Sequence, residues 1–141
     1  MNAFSAADFR VRAVSHTALT DEYGDYMLNP AFEADMKAAR YKDAAVLIGL
    51  RERGGECSVI LTERTAHLAK HAGQVAFPGG KIDPDDASPE AAALREAHEE
   101  IGLDAAHVEV LGRLPDYLTG TGYRIKPVLA LVDPDVRFVP N

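Results

Sequence analysis

The sequence predicts an α/β (α+β) fold in which helices lie outside a mixed β-sheet. Short apolar runs rich in β-branched residues occur before and after a strongly marked helix at residues 89–101, and the other helical patterns lie outside those runs. Strands on both sides of a helix in the chain, with further helices outside them, are typical of a layered α/β sandwich. The length of 141 residues, with 47% hydrophobic and 26% charged residues, is that of one domain with one core.

Residues 1–43 are predicted to form an N-terminal helical extension packed on a main domain at residues 44–141. A short helix is predicted over residues 6–14, and a second helix is predicted to start at Pro30, which suits a first helical position. The segment between them, residues 16–30, is rich in Gly, Asp, Asn and Pro and is predicted to be a loop.

Five strands are predicted, at residues 44–50, 57–62, 75–80, 108–114 and 127–132. The turn residues RERGGE join the first two, which favours a β-hairpin. The third strand is expected to end in a glycine turn at Gly79 and Gly80. The stretch 115–126, PDYLTGTGYRIK, is predicted to be a long loop, and loops of that length are more often functional than structural.

The helix at residues 89–101 is predicted from the residues at its two ends. Ser88 is a good N-cap, and Pro89 suits the first helical position because its missing N–H would be unpaired there. Gly102 stands where a left-handed C-cap residue belongs. At about 100° per residue, one apolar stripe is formed by Ala93, Leu94, Ala97 and Ile101. We therefore expect this helix to pack one side against the core.

Three glutamates occupy the other side of this helix. Glu96, Glu99 and Glu100 are neighbours on one surface, an arrangement that like-charge repulsion disfavours. Arg95 lies four residues before Glu99 and can pair with it, but one guanidinium cannot neutralise three carboxylates. A hard divalent cation such as Mg²⁺ or Mn²⁺ is the natural partner of such oxygen ligands. For the helix taken alone, a merely solvated acidic face is the commoner alternative.

The segment at residues 77–103 resembles the signature of the Nudix hydrolases, which is a glycine, a short acidic segment and then Arg-Glu-apolar-any-Glu-Glu-any-Gly-apolar. The matching residues are Gly80, Arg95, Glu96, Ala97, Glu99, Glu100, Gly102 and Leu103. One departure concerns the acidic position that usually braces the arginine, because Asp86 stands six residues after the glycine but nine, instead of eight, before the arginine. The bracing role is open to Asp83, Asp85 or Asp86.

The resemblance implies an α-β-α sandwich in which the glutamate helix lies against the sheet and turns its acidic face to a cleft. It also implies hydrolysis of a nucleoside diphosphate linked to another moiety, with Mg²⁺ or Mn²⁺ as cofactor. On that analogy, Glu96 and Glu100 are expected to be metal ligands, and Glu99 a further ligand or the general base. Arg95 is expected to orient these carboxylates.

A second, narrower resemblance concerns the substrate. The sequence before and into the signature is similar to that of the bacterial coenzyme A pyrophosphatase subfamily, at Leu61, Thr62, Arg64, Gly73, Val75, Phe77, Pro78, Gly79 and Gly80. This similarity implies cleavage of coenzyme A to 3′,5′-adenosine bisphosphate and 4′-phosphopantetheine. The candidates for substrate binding are Arg64, His71, Gly79, Gly80 and Tyr123. The basic segment at residues 64–71 would suit the 3′-phosphate, although such a segment is often only a solvated loop.

Charge and cysteine content limit the partners of the protein. A net charge of −7 disfavours binding to nucleic acid backbones or anionic membranes. The only cysteine, Cys57, cannot form an internal disulfide, which favours a reducing cytoplasm. The sequence contains neither a long apolar run nor the basic head and apolar core of a secretory signal. We therefore expect a cytoplasmic protein that acts on a small molecule.

Two alternatives to a coenzyme A pyrophosphatase remain from the sequence. One is a Nudix hydrolase of another nucleoside diphosphate derivative such as ADP-ribose, because pocket loops choose the substrate. The other is a non-catalytic domain that senses a nucleotide.

Members of the resembled subfamily usually continue beyond the point where this sequence stops. The chain is therefore expected to be a fragment, to receive the missing segments from a partner chain, or to function without the last strand. A homodimer is a separate expectation.

Overall fold

The computed structural model of the chain describes residues 4–17, 22–63 and 75–138, without the side chains of residues 14–17. The helices within these residues are α1 (Ala6–Thr17), α2 (Glu33–Ala38) and α3 (Pro89–Ile101), with short 3₁₀ turns at Asp25–Met27, Pro30–Phe32 and Ala105–His107. The strands are β1 (Tyr23–Gly24), β2 (Lys42–Arg53), β3 (Glu56–Val59), β4 (Thr62–Glu63), β5 (Val75–Ala76), β6 (Gly79–Lys81), β7 (Val108–Arg113), β8 (Tyr117–Leu118) and β9 (Tyr123–Val132).

The described residues contain one mixed sheet of seven strands, with β1, β8, β9, β2 and β3 in that spatial order. The two central strands, β2 and β9, are parallel and pair from Lys42 opposite Tyr123 to Leu50 opposite Leu131. Strands β3 and β6 both pair antiparallel with β2, and β7 and β8 both pair antiparallel with β9. The short strands β4 and β5 pair with each other. The predicted mixed sheet is confirmed.

The main core lies between α3 and one face of the sheet. Ala93, Ala97 and Ile101 of α3 are buried there, as predicted, together with Ala92, whereas Leu94 is only partly buried. The strand residues packed in this core are Ala45 and Leu47 of β2 and Val128, Ala130 and Val132 of β9. Because side chains alternate along a strand, the residues that lie between these core residues, such as Val46 of β2 and Leu129 of β9, point to the other face.

Helix α1 lies on the other face of the sheet. The backbone N–H of Ala6 donates to Glu52 Oε2 at 2.6 Å, and Glu52 has the opposite parity along β2 from Ala45 and Leu47. Arg10 of α1 also pairs with Glu109 of β7 at 2.7 Å. Helices therefore cover both faces, which confirms the α-β-α sandwich.

Several local predictions are confirmed and others are wrong. The hairpin of β2 and β3 turns at Gly54 and Gly55 as predicted, and the first helix runs on to Thr17. The predicted loop at 16–30 contains β1, which pairs in parallel with β8, so the predicted extension also adds a strand to the sheet. The predicted loop at 115–126 contains β8 and the start of β9. Strands of two residues are too short to produce an alternating sequence pattern.

The predicted glycine turn after residue 76 is also wrong. Gly79 and Gly80 belong to β6 and pair with Val46 and Ala45 of β2. Neither glycine has a positive φ angle. They are needed for close packing, because a Cβ atom at Gly79 would collide with the carbonyl oxygen of Ala45.

Candidate active site

The glutamate helix α3 has the two caps that the sequence predicts. The Ser88 hydroxyl accepts a hydrogen bond from the N–H of Ala91 at 3.1 Å. Gly102 adopts a left-handed conformation with φ of 70°, and its N–H bonds back to the last turn. These caps fix where the helix begins and ends, and so fix the direction in which its glutamates project.

Arg95 is the centre of the polar contacts at this site. Its Nε and Nη2 atoms donate to the two carboxylate oxygens of Asp86, each at 3.0 Å. Its Nη1 atom donates to Glu96 at 3.1 Å and lies 3.3 Å from Glu99. Nη2 also reaches the carbonyl oxygen of Lys81 at 3.3 Å. One guanidinium therefore joins β6, the acidic loop and two of the three glutamates.

Asp86 is the acidic residue that braces Arg95. Its side chain is 8% exposed and makes the two-pronged contact, which is the strongest arrangement for an arginine and a carboxylate. Asp83, at 3.4 Å from Nη2, has a side chain that is 54% exposed, and its main contribution is a backbone N–H donated to Asp86 at 2.8 Å. The extra residue before Arg95 is thus accommodated in the loop without loss of the brace.

The ionisation of this pair follows from its hydrogen bonds. The Arg95 guanidinium lowers the pKa of Asp86 below its usual value, and the N–H of Asp83 lowers it further. The Asp86 carboxylate in turn raises the pKa of Arg95 above its usual value. Both groups therefore stay charged at neutral pH, and Arg95 keeps its contacts with Glu96 and Glu99.

The Glu96 carboxylate lies directly against the backbone of Gly80. A Cβ atom at Gly80 would stand 2.7 Å from Glu96 Cδ and from Oε1, so a larger residue would displace the carboxylate. Gly80 on one side and Arg95 on the other hold the Glu96 side chain, which is 18% exposed. The close approach of Gly80 thus serves a protein carboxylate, a role that the glycine pattern did not reveal.

The carboxylates suit a hard divalent cation in their donor chemistry, although they do not form a closed ligand set. Glu96 and Glu100 are four residues apart on α3, and Glu100 is partly buried. Among the described residues, no three His, Cys, Asp or Glu side chains already converge as metal ligands. Arg95 Nη1 donates to both Glu96 and Glu99, so one nitrogen atom holds these two carboxylates beside each other.

The other predicted site residues are not all brought to this cluster. Arg64 and His71 lie outside the described residues. Tyr123 is the first residue of β9, and alternation along that strand turns it away from the α3 face. The next residue, Arg124, points to the α3 face instead.

Within the described part of the chain, no helix has the combined length and apolarity needed to cross a bilayer.

Comparison with known proteins connects this geometry to a family. The NUDIX domain profile matches residues 40–139. The chain is 45% identical over 106 residues to a protein of Escherichia coli K12 named uncharacterized Nudix hydrolase NudL, which covers 75% of this chain but 55% of that protein. The chain thus spans about half the length of the curated relatives that it matches.

Solved structures show the same fold. RenU, a Nudix hydrolase of Mycobacterium smegmatis, superposes with a TM-score of 0.59 and 28% identity, over 73% of this chain and 66% of that one. The NUDIX domain of Shewanella oneidensis NrtR, solved with ADP-ribose, has a TM-score of 0.53 and 19% identity, over 82% of this chain and 78% of that one. With its profile match and its 45% identity to NudL, the chain belongs to the Nudix family.

Proposed function

We propose that this protein hydrolyses the diphosphate of coenzyme A or its derivatives, with a divalent metal ion, to 3′,5′-adenosine bisphosphate and 4′-phosphopantetheine. The observation that carries a hydrolytic function is the Arg95 cluster, in which a fully braced guanidinium holds Glu96 and Glu99 on the same helix as Glu100. A domain that only bound its ligand would have no need for three glutamates in this arrangement. The relatives named Nudix hydrolases support the same reaction type.

The proposed roles of the carboxylates come from the resemblance to the Nudix signature. Glu96 and Glu100 would hold Mg²⁺ or Mn²⁺, and members of the family generally use divalent ions. When bound, such an ion neutralises charge on the diphosphate oxygens and lowers the pKa of a water molecule. Glu99, whose side chain is 56% exposed, would accept the proton of the attacking water at a carboxylate oxygen or serve as a further ligand. Arg95 would keep Glu96 and Glu99 in one orientation throughout.

The choice of coenzyme A rests on the sequence similarity at residues 61–80. Arg64 and His71 remain predicted contacts for the phosphates of the substrate, and Gly79 and Gly80 remain predicted contacts near the diphosphate. ADP-ribose is the second candidate, since the NrtR domain was solved with that molecule bound. A cytoplasmic location and a homodimer also remain predictions.

Product analysis tests the reaction and the substrate together. Coenzyme A and ADP-ribose are incubated separately with the protein and Mg²⁺ or Mn²⁺, and the products are separated by chromatography. We expect 3′,5′-adenosine bisphosphate and 4′-phosphopantetheine from coenzyme A at the higher kcat/KM. A higher kcat/KM for ADP-ribose would show that ADP-ribose, and not coenzyme A, is the preferred substrate. Tight binding of both molecules without any product would support the sensing domain instead.

A further inference from the structure

Strand register places a second group of polar side chains on the face of the sheet that carries α3. Asp43 lies two residues before Ala45, which is in the core under α3, so Asp43 points to that face. Arg124 pairs with Asp43 across β2 and β9 and points the same way. Gly80, which lies against the Glu96 carboxylate, pairs with Ala45, two residues further along β2 than Asp43.

The two groups are close enough for one substrate to reach both. Arg124 is two strands and two residues away from Gly80 in the sheet. With strands about 4.8 Å apart and a rise of about 3.3 Å per residue, their Cα atoms are about 12 Å apart. A nucleotide whose diphosphate lies at Glu96 can therefore extend its nucleoside part to Arg124.

Arg124 is held much more loosely than Arg95. Its Nε atom is 3.9 Å from Glu22 and its Nη1 atom is 3.9 Å from Asp43, both beyond hydrogen-bonding distance. No hydrogen bond of its guanidinium occurs among the described residues, and its side chain is 37% exposed. Its donors and its flat face are thus available to a ligand.

Tyr41 provides a second flat surface beside this guanidinium. The guanidinium carbon of Arg124 lies 5.9 Å from the centre of the Tyr41 ring. The Tyr41 hydroxyl donates to the carbonyl oxygen of Met36, which fixes the orientation of the ring. Flat cationic and aromatic side chains are the surfaces on which nucleic acid bases stack.

The charges at this location favour a nucleoside over a phosphate. Two carboxylates, Asp43 and Glu22, flank the single positive charge of Arg124, so an added anion would be repelled. Carboxylates accept hydrogen bonds from ribose hydroxyls and from amino groups of bases. Glu22 also lines a cavity of about 460 Å³ beside Tyr26 and Lys37, which is within the range of small-ligand pockets.

We propose that Arg124 and Tyr41, with Asp43 and Glu22, form a subsite that binds the nucleoside part of the substrate. The base stacks on the guanidinium and the ring, and the ribose hydroxyls donate to the two carboxylates. This inference rests on the proposed function in one respect, since it assigns the nucleoside half of a substrate whose diphosphate is cleaved at Glu96.

The test uses binding, without turnover, so that it is independent of the cleavage assay. The full chain is titrated by calorimetry with AMP, with ribose 5-phosphate and with inorganic phosphate. We expect AMP to bind at least about tenfold more tightly than ribose 5-phosphate, because stacking of a base contributes on that order. Equal affinities for AMP and ribose 5-phosphate, or no saturable binding of AMP, would overturn the subsite.

Two variants and a matched control locate the binding. Arg124→Lys keeps the charge but loses the flat surface, and Tyr41→Leu removes the ring. Each variant should lower the affinity for AMP by about tenfold and leave the affinity for ribose 5-phosphate unchanged. Arg113→Lys, at an arginine of similar exposure that pairs with Glu90, should bind AMP like the wild type. Wild-type affinity for AMP in both Arg124→Lys and Tyr41→Leu would overturn the assignment.

Thermal melting checks that these variants are folded. If either variant melts well below the wild type, the affinity for AMP is judged from the other variant and from Asp43→Asn. Asp43 is half-exposed, and this isosteric change removes only a strong hydrogen-bond acceptor, so AMP should bind more weakly to a folded protein. The outcome is separate from that of the cleavage assay. A protein that binds AMP at Arg124 but does not cleave coenzyme A would contradict the proposed function and leave the nucleoside subsite standing.

Discussion

Two arginines near the same face of the sheet are used in opposite ways. Arg95 has a partner at each of its three nitrogens, with two hydrogen bonds of 3.0 Å to Asp86 and with Glu96 and Glu99 on its remaining nitrogen. Arg124 has carboxylates nearby at 3.9 Å but no hydrogen bond with them. The difference teaches that a closely paired arginine organises a site, whereas a loosely paired one is available for recognition.

The largest expected effect is at Glu100, on the same helix as Arg95. Glu100→Gln should lower kcat by orders of magnitude and leave the melting temperature nearly unchanged, because the residue is a proposed metal ligand and not part of the core. The matched control is Glu109→Gln, since Glu109 is exposed and pairs with Arg10 of α1 on the other face. Near-normal turnover of Glu100→Gln would remove this residue from the site.

The next effect concerns the glycine that leaves room for Glu96. Gly80→Ala would place a Cβ atom 2.7 Å from the Glu96 carboxyl carbon, so the carboxylate must move. We expect kcat/KM to fall by about tenfold or more, as is usual when a positioned catalytic group is displaced by about 1 Å. Gly120→Ala is the control, because its nearest neighbour would be 3.6 Å away. Equal activity of the two variants would show that the position of Glu96 does not limit catalysis.

A pH-dependent effect tests the brace itself. Asp86→Asn places amide N–H groups against the guanidinium of Arg95 and should lower the melting temperature at pH 7, measured without metal ions. Because the pKa of Asp86 is lowered by folding, its stabilisation is present above the usual aspartate pKa of about 4 and is lost as the pH falls through the lower folded value. The difference in melting temperature between the variant and the wild type should therefore shrink in acid. Asp83→Asn, at an exposed carboxylate, should show little difference at any pH.

The smallest expected effect is on stability at Arg124. Arg124→Ala should change the free energy of unfolding in urea by about 0.5 kcal/mol or less, because exposed ion pairs at such distances contribute little. Arg95→Ala, which leaves Asp86 without its partner, should destabilise the protein clearly more. A large loss of stability in Arg124→Ala would make this arginine a structural residue, contrary to the comparison.

The sequence predicted the features that depend on local chemistry. The caps at Ser88 and Gly102 and the separation of apolar and acidic sides along α3 follow from neighbouring residues alone, and the structure has them. The choice of Asp86 over Asp83 could not be predicted, because it depends on how the loop before α3 folds against β6. The loose state of Arg124 was equally hidden, since it follows from pairing between strands far apart in the chain.

The parallel pairing of β2 and β9 has a consequence for how the chain folds during synthesis. It joins residue 42 to residue 123, so the centre of the sheet cannot form until nearly the whole domain has left the ribosome. Until then, the apolar strand β2 can pair only along its edge with β3 and β6, and the glutamate helix has no complete surface on which to dock. Folding is thus expected to be slow and to depend on a late step, during which an exposed strand is most vulnerable to aggregation.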